Sequence, residues 1–392
     1  MNVAFPDPAM TPATVSSLAR RVLDLRDSPW VDGPGRTILD TASMVDPQRY
    51  HIVVGAFSGD RHGEHAYLSE ATRRGLETYP IAERRAIDPD VLRQIVGWCR
   101  HNAIDIIHTH DFRSDLYGLI AARRLRIPAV STCHGWIAND LKGRIYTVVD
   151  KFLLRFFDRT IVVSARMQAH LSTRGIPARK LAVIQNALIV EDYRPDRSDR
   201  SVQAELGIPA YHKVVGNIGR LSLEKCQDLF LRAAAEIILE MPDVSFVIVG
   251  IGPEEDRLRR LAGELGIVDH VVFAGYRADM QRVYNSLDLV VQSSSTEGMP
   301  NVVLEALLMR VPVVATDVGG TAEIVTDGVS GRLISPNDLS ALVAAIRKSL
   351  ADRERVLAWT NVGKEHIQQR FNHNTRLRHI MDIYDDVLRE KG

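Results

Sequence analysis

Residues 288–306 read DLVVQSSSTEGMPNVVLEA, and this stretch passes from a strand through a polar loop into a helix. The apolar run Asp288–Gln292 has the composition of a buried strand. Pro300 is tolerated in the first turn of a helix, so a helix is expected to begin beside it. The stretch therefore predicts one strand–loop–helix unit of an α/β protein, with Glu297 on the loop and Glu305 one turn into the helix.

Glu297 and Glu305 lie on either side of a helix N-terminus, which points to the chemistry of the site. The unpaired backbone N–H groups at such an end attract phosphate, through hydrogen bonds and through the helix dipole. A carboxylate only accepts hydrogen bonds, so its partners near a nucleotide are hydroxyls of a ribose or a hexose. This arrangement predicts a sugar-nucleotide site. A chance pair, or acids that merely favour the helix dipole, is the alternative interpretation.

Residues 213–225 form a second strand, turn and helix start, and they carry two cations. Arg220 and Lys225 follow the glycine turn at Gly219. An Arg fork and a Lys ammonium could bind one diphosphate together. Open α/β sheets bind ligands at the carboxyl ends of their strands, which favours this function over two solvated surface cations.

Composition excludes several classes of protein. The 392 residues contain 49 Lys plus Arg and 49 Asp plus Glu, so no overall positive field indicates nucleic acid as a partner. The three cysteines are widely spaced, which is typical of a reducing cytoplasm rather than a disulfide framework. No apolar run is long enough to span a membrane, and the N-terminus lacks a signal pattern, so a soluble or peripheral protein is expected.

Short Val- and Ile-rich runs alternate with amphipathic stretches along the chain, which predicts parallel sheets covered by helices. Strands are expected near residues 21–25, 51–57, 104–108, 129–133, 160–164, 181–185, 213–218, 244–250, 271–274, 288–292, 312–315 and 331–334. Domains are expected at 1–190 (with 1–19 an irregular extension) and 201–370, joined by a charged linker at 191–200, with a terminal helix at 371–392.

Five stretches, in this order and spacing, resemble the retaining, metal-independent glycosyltransferases of the GT-B fold, family 4. They are the Glu-x7-Glu stretch, Gly219-Arg220-Leu221-x3-Lys225, residues 247–253, residues 272–276 and residues 317–323. The resemblance covers nearly the whole chain beyond about residue 20 and is stronger in the second half. It implies two Rossmann-like domains facing across a cleft, with the terminal helix crossing back to the first domain.

The resemblance also implies residue roles. Glu305 would bind the ribose hydroxyls and Glu297 the sugar hydroxyls, while Arg220 and Lys225 would neutralise the leaving diphosphate. His134 would lie against the donor sugar, and a purely structural histidine is the alternative. The other implied donor-binding residues are Gly33, Gly35, Gly219, Gly250, Gly252, Phe273, Tyr276, Gly298, Met299, Pro300, Asn301 and Val302.

Some positions depart from the family pattern or leave alternatives open. Gly33-Pro34-Gly35 stands where relatives carry a Gly-Gly loop, and Cys226 replaces a glycine. The proline removes one N–H donor, so a structural turn there is a second interpretation. His110 is expected to line the acceptor pocket. Asp88-Pro89-Asp90 precedes a helical pattern, so capping explains it better than a metal site.

The sequence thus predicts a metal- and cofactor-free glycosyltransferase that moves a sugar, UDP-linked by expectation, to a cell-surface glycan or glycolipid. A sugar-nucleotide epimerase of the same fold, a metallohydrolase using His108, His110 and His134, and a catalytically silent binding subunit are the alternatives. Residues 142–159 are basic with a broad apolar face, which fits either a packed helix or contact with an anionic membrane. A cytoplasmic protein, at or near the inner face of the membrane, is expected.

Overall fold

A computed structural model describes residues 19–59, 65–85, 87–136 and 141–391, without the side chains of Lys142 and Arg353. Residues 1–18 of the expected extension lie outside the described residues. Within the described chain, parallel strands alternate with helices, as the apolar periodicity predicted. The α/β class with two Rossmann-like sheets is therefore confirmed.

The first sheet has seven parallel strands in the order β3-β2-β1-β4-β5-β6-β7. Its strands are β1 Arg20–Arg26, β2 Tyr50–Ser58, β3 Thr78–Ala82, β4 Ile106–Thr109, β5 Ala129–Cys133, β6 Arg159–Val162 and β7 Leu181–Val183. Its helices are α1 Gly33–Met44, α2 Ala66–Arg73, α3 Pro89–His101, α4 Phe112–Leu125, α5 Leu141–Leu153 and α6 Ala165–Thr173.

The second sheet has six parallel strands in the order β10-β9-β8-β11-β12-β13. They are β8 Lys213–Ile218, β9 Val244–Val249, β10 Val271–Gly275, β11 Leu289–Gln292, β12 Val313–Thr316 and β13 Arg332–Ile334. The helices of this part are α7 Ser201–Glu205, α8 Gln227–Ile238, α9 Glu255–Glu264, α10 Met280–Asn285, α11 Asn301–Leu308, α12 Thr321–Ile324, α13 Leu339–Ala351, α14 Arg353–Arg370 and α15 His373–Lys391.

The core of the second sheet explains why its strands could be read from the sequence. Strands such as β9 are buried along their whole length, because helices cover both faces of a parallel sheet. Phe230 of α8 and Phe246 of β9 meet edge to face at 5.5 Å between ring centres. The strands expected from the sequence are present, with ends that shift by a residue or two.

Strand β3 was missed by the sequence analysis. It reads TYPIA, and Pro80 in a short run argues against a strand unless the strand lies at a sheet edge. The strand does lie at the edge, where it pairs only with β2 in the described sheet. An edge position tolerates the missing N–H donor, so local sequence could not distinguish this strand from a loop.

The described chain divides into two compact units. One contains the described residues up to Thr132, Phe156–Arg159 and those from Ile383 onward, and the other contains Cys133–Arg155 and Thr160–Asp382. The limits of these two units differ from the domain boundaries that the sequence suggested at residues 190 and 201. Those domain boundaries stay a prediction.

The expected linker, 191–200, lies inside the second unit and is held there by hydrogen bonds. Arg197 donates to the carbonyl oxygens of Tyr284, Asn285 and Leu287.

Candidate functional site

The order of the second sheet reverses between β8 and β11, and this is the point where doubly wound sheets bind ligands. Strand β8 ends at Ile218, directly before Gly219 and Arg220, and β11 ends at Gln292, directly before the loop that carries Glu297. Because both strands run parallel, their carboxyl ends open on the same edge. The fold therefore brings together the two stretches that the sequence analysis identified separately.

Lys225 and Glu297 are in direct contact at this edge. The Lys225 ammonium donates to Oε1 of Glu297 at 2.6 Å, and the two side chains are 27% and 11% exposed. The hydroxyl of Ser294 donates to the same oxygen at 2.7 Å, and the amide of Gln292 lies 3.3 Å from it. A half-buried ammonium and carboxylate are thus held at one point, where both can face a ligand.

Gln292 is a site residue that the sequence analysis missed. Its Oε1 accepts hydrogen bonds from the backbone N–H of Thr316 at 3.1 Å and from the Thr316 hydroxyl at 3.2 Å. The same amide group reaches Glu297, so it ties β12 to the Glu297 loop. A buried polar residue that ends an apolar strand was the signal available in the sequence.

Glycine is required where three loops meet behind Glu297. A Cβ on Gly298 would lie 1.9 Å from the carbonyl oxygen of His134, and a Cβ on Gly319 would lie 2.0 Å from that of Glu297. Gly319 also has a φ of +54°, which favours glycine. The N–H of Gly320 donates to the carbonyl of Gly298 at 2.7 Å. This packing brings the backbone of His134 against the Glu297 loop.

A second set of close contacts joins the loops after β8 and β9. A Cβ on Gly250 would lie 2.0 Å from the carbonyl oxygen of Gly219, and a Cβ on Gly252 would lie 2.3 Å from that of Leu221. Gly219 and Gly250 have φ angles of +152° and +139°. These glycines let two backbones approach beside Arg220, whose side chain is exposed.

Helix α11 begins at Asn301 with Pro300 at its N-cap, as expected from the sequence. The amide nitrogen of Asn186 donates to the carbonyl of Met299 at 3.1 Å and to Oδ1 of Asn301 at 2.9 Å, which holds the first turn in place. Val302, in the same turn, is half-buried.

Glu305 is buried one turn further along α11. Its carboxylate accepts hydrogen bonds from the hydroxyls of Tyr193 at 3.1 Å and Tyr284 at 2.8 Å. Sequence reasoning did not find these two tyrosines, because they are distant from Glu305 in the chain. The ribose-binding role of Glu305 stays a prediction.

The residues expected at the nucleotide base follow β10. The register of the strand against β9 shifts between Phe273 and Gly275, at its carboxyl end. Arg259 stacks on the Phe273 ring, with 4.4 Å between the guanidinium carbon and the ring centre. The Tyr276 side chain, 66% exposed, follows directly.

Gly33 and Gly35 lie in the other unit, at the start of α1. The N–H of Gly35 donates to the N-cap Asp32 at 2.9 Å, and Asp32 also accepts from Arg26 at 2.6 Å. A Cβ on Gly35 would lie 2.0 Å from the Arg26 guanidinium. These contacts favour the structural turn over the donor loop at Gly35, and the donor-binding role of both glycines stays a prediction.

His108 and His110 also lie in that unit. His110 Nε2 is 2.9 Å from Asp24, and the two ring nitrogens of His108 are 2.7 Å from the hydroxyls of Tyr384 and Thr132. Asp24, His108 and His110 are all buried and close enough to share a metal ion, yet existing hydrogen bonds already occupy both nitrogens of His108.

Asp88 caps α3 by accepting from Asp90 N–H at 3.0 Å, which confirms the capping interpretation.

An acidic and basic cluster follows β1 and β4 in the same unit. Asp27 accepts from Arg113 at 2.7 Å, and its own N–H donates to Asp111 at 3.1 Å. Burial, joined by the carboxylates of Asp111 and Glu83, raises the pKa of Asp27 to about 7 against the opposing charge of Arg113. The cluster lies where the strand order of the first sheet reverses, so it marks a second ligand-facing edge.

Known proteins resemble this chain over both halves. Residues 31–192 match Glycosyltransferase Family 4, and residues 199–366 match Glycosyl transferases group 1. The lipopolysaccharide core biosynthesis mannosyltransferase LpsB of Rhizobium meliloti is 30% identical over 64% of this chain and 72% of its own length. A D-inositol 3-phosphate glycosyltransferase of Mycobacterium marinum is 34% identical over 62% of this chain and 54% of its own.

Solved structures agree with the sequence matches. Anabaena HepE in complex with UDP-glucose is 26% identical, with a TM-score of 0.84 over 93% of this chain and 99% of that one. A sucrose-phosphate synthase from Thermosynechococcus elongatus, 20% identical, shares the fold with a TM-score of 0.81 over 95% of this chain and 100% of its own. This chain belongs to the group 1 glycosyltransferases.

Proposed function

We propose that this protein is a retaining, metal-independent glycosyltransferase that moves a hexose or hexosamine from a UDP-linked donor to a cell-surface glycan or glycolipid. The contact between Lys225 and Glu297 supports the proposal, because a cation and a carboxylate that could accept from hydroxyls meet at the edge of the second sheet where doubly wound sheets bind ligands. The HepE complexes with UDP and UDP-glucose support the choice of donor. The relatives that act on a lipopolysaccharide core or an inositol phosphate support a hydroxylated acceptor.

The proposed chemistry depends on charge and positioning. Transfer would form a bond between the acceptor oxygen and the sugar carbon and break the bond from that carbon to the diphosphate, which leaves with one more negative charge than it had in the donor. The acceptor hydroxyl gives up its proton, to the leaving phosphate or to solvent, and Lys225 and Arg220 would stabilise the added charge. Before this step, when the donor binds, Glu297 would exchange part of its contact with Lys225 for hydrogen bonds from the sugar hydroxyls. The backbone of Gly298 packs against that of His134, and this contact would hold Glu297 and His134 at fixed positions beside the reacting carbon of the sugar.

The acceptor is proposed to bind the unit that contains His110 and the Asp27 cluster. Carboxylates and histidines are suitable partners for the hydroxyls of a glycan. The protein would act in the cytoplasm, with no cofactor, at the inner face of the membrane. No helix among residues 19–59, 65–85, 87–136 and 141–391 is long and apolar enough to cross a membrane.

Replacing Lys225 by Met tests this proposal. The change keeps most of the aliphatic stem but removes the ammonium, so transfer from UDP-sugar should fall about 10²- to 10³-fold, as for loss of one preorganised donor. The control is Lys348→Met, which removes an exposed cation of α13 in the same unit and should leave turnover unchanged. Turnover is measured as UDP released, and folding is checked by thermal unfolding.

Three results would contradict the proposal. Normal turnover and normal thermal unfolding of Lys225→Met would show that Lys225 does not stabilise the diphosphate. Turnover abolished by a chelator would require a metal. Conversion of the donor to an epimer without an acceptor would identify the sugar-nucleotide epimerase alternative.

A further inference from the structure

Most of the large apolar side chains of helix α5 lie on a face that points into solvent. Leu141, Ile145, Val148, Val149 and Phe152 are 73%, 53%, 67%, 37% and 52% exposed. Their spacing is that of neighbouring turns of an α-helix, so they form one continuous stripe. Single exposed apolar residues need no explanation, but a stripe along three turns of one helix does.

The opposite face of α5 is the covered one, and it carries polar as well as apolar side chains. Gly143, Tyr146 and Thr147 are half-buried, and Asp150 is buried and accepts from the indole N–H of Trp136 at 2.8 Å. A helix that covers a sheet normally turns its apolar side inward and its polar side outward. Here Leu153 on the covered face is half-buried, but the five side chains of the stripe stay exposed, so packing within the described chain does not account for the stripe.

Basic side chains flank the stripe. Arg144 and Arg155 are exposed, and Lys151 is half-buried with its ammonium 4.3 Å from the centre of the Trp136 ring. The segment Leu141–Arg155 contains four basic residues, and its one acid, Asp150, faces inward. An apolar stripe beside cations is complementary to a surface that is apolar below and anionic above.

We propose that the stripe Leu141, Ile145, Val148, Val149 and Phe152 docks on a lipid bilayer that contains anionic phospholipid. The side chains would enter the boundary between headgroups and acyl chains, and the cations of α5 would contact the phosphates. A second copy of this chain fits less well, because a two-fold interface would place the same cations against each other. The proposal extends the proposed function by giving a place for a lipid-linked acceptor, but the docking itself needs no donor.

Vesicle sedimentation with the full chain tests this docking. The protein should sediment with vesicles of phosphatidylcholine and phosphatidylglycerol but not with phosphatidylcholine alone, and added salt should weaken binding. The double variant Val148→Glu/Phe152→Glu should bind at least about tenfold more weakly, because two charges enter the stripe. The matched control is Leu239→Glu/Val268→Glu, which changes two exposed apolar residues of the same unit and should bind normally.

Unchanged vesicle binding by Val148→Glu/Phe152→Glu would overturn the proposal, as would equal binding to phosphatidylcholine alone. A wild-type dimer that the same variant dissociates would assign the stripe to a second copy instead. The two proposals can fail separately. If the proposed function is wrong, UDP-sugar should not raise the melting temperature of the wild type, while vesicle binding stays intact.

Discussion

Replacing Gly298 by Ala should displace the loop that carries Glu297. The new Cβ would lie 1.9 Å from the carbonyl oxygen of His134 and 3.1 Å from Cγ2 of Val163. An ordinary contact needs at least about 3.4 Å, so one of the two backbones must move by about 1.5 Å. Gly298 is adjacent to Glu297 and two residues before the N-cap of α11, so this shift would move both.

The magnitude follows from that displacement. Overpacking of this kind costs about 1–3 kcal/mol of the free energy of unfolding. A misplacement of about 1 Å at reacting groups costs about 10²-fold in turnover. Gly298→Ala should therefore lose far more activity than stability. Thermal unfolding, UDP affinity and transfer from UDP-sugar would measure the three effects separately.

Gly263 provides the control for this substitution. It lies in α9 of the same unit, and a Cβ there would meet nothing within 4 Å. Gly263→Ala should therefore stabilise the protein by about 0.5–1 kcal/mol and leave turnover unchanged. Normal turnover and normal unfolding for Gly298→Ala would refute the reasoning, because they would show that the close packing with His134 does not position the site.

Two further substitutions test other features of the fold. Cys226 has a φ of +49°, in the left-handed region, where a non-glycine residue costs about 1–2 kcal/mol. Glycine removes this cost but loses about 0.5–1 kcal/mol through its greater freedom in the unfolded chain. Cys226→Gly should therefore raise the free energy of unfolding by about 0.5–1 kcal/mol. A lower melting temperature for Cys226→Gly would show that the cysteine side chain stabilises this turn.

Burial, with a smaller contribution from Arg376, lowers the pKa of His373 from 6.5 to about 3. Below about pH 6.5 the unfolded chain takes up a proton that the folded chain excludes, so stability should fall by about 1.4 kcal/mol per pH unit from pH 6.5 towards pH 3. Denaturant unfolding at several pH values should show this slope reduced in His373→Leu, and an equal slope in both proteins would rule out His373 as its source.

Part of the site was accessible from the sequence because its determinants are local. Pro300 marks the start of α11, and the apolar run before Gln292 marks the end of β11, so the position of Glu297 could be deduced. The loop chemistry around Gly219 and Lys225 could be recognised in the same way. Strand β3 could not, since Pro80 is acceptable only because the strand lies at a sheet edge.

Contacts between distant segments could not be deduced. Nothing near Glu305 in the chain indicates that Tyr193 and Tyr284 donate to its carboxylate. The apolar character of residues 142–159 was visible as composition, but only the fold shows that Ile145, Val148 and Phe152 are exposed while Asp150 is buried. Periodicity defines which residues share a helix face, whereas packing decides which face is buried.

The sequence by itself determined the α/β class, nearly all of the strands and the two charged stretches of the candidate site, because strand burial, helix starts and glycine turns depend on neighbouring residues. Only the tertiary structure decided that Lys225 meets Glu297 and that the backbones of Gly298 and His134 touch. These contacts arise from the order of strands in a sheet, and that order is set by packing across many residues rather than by any one segment.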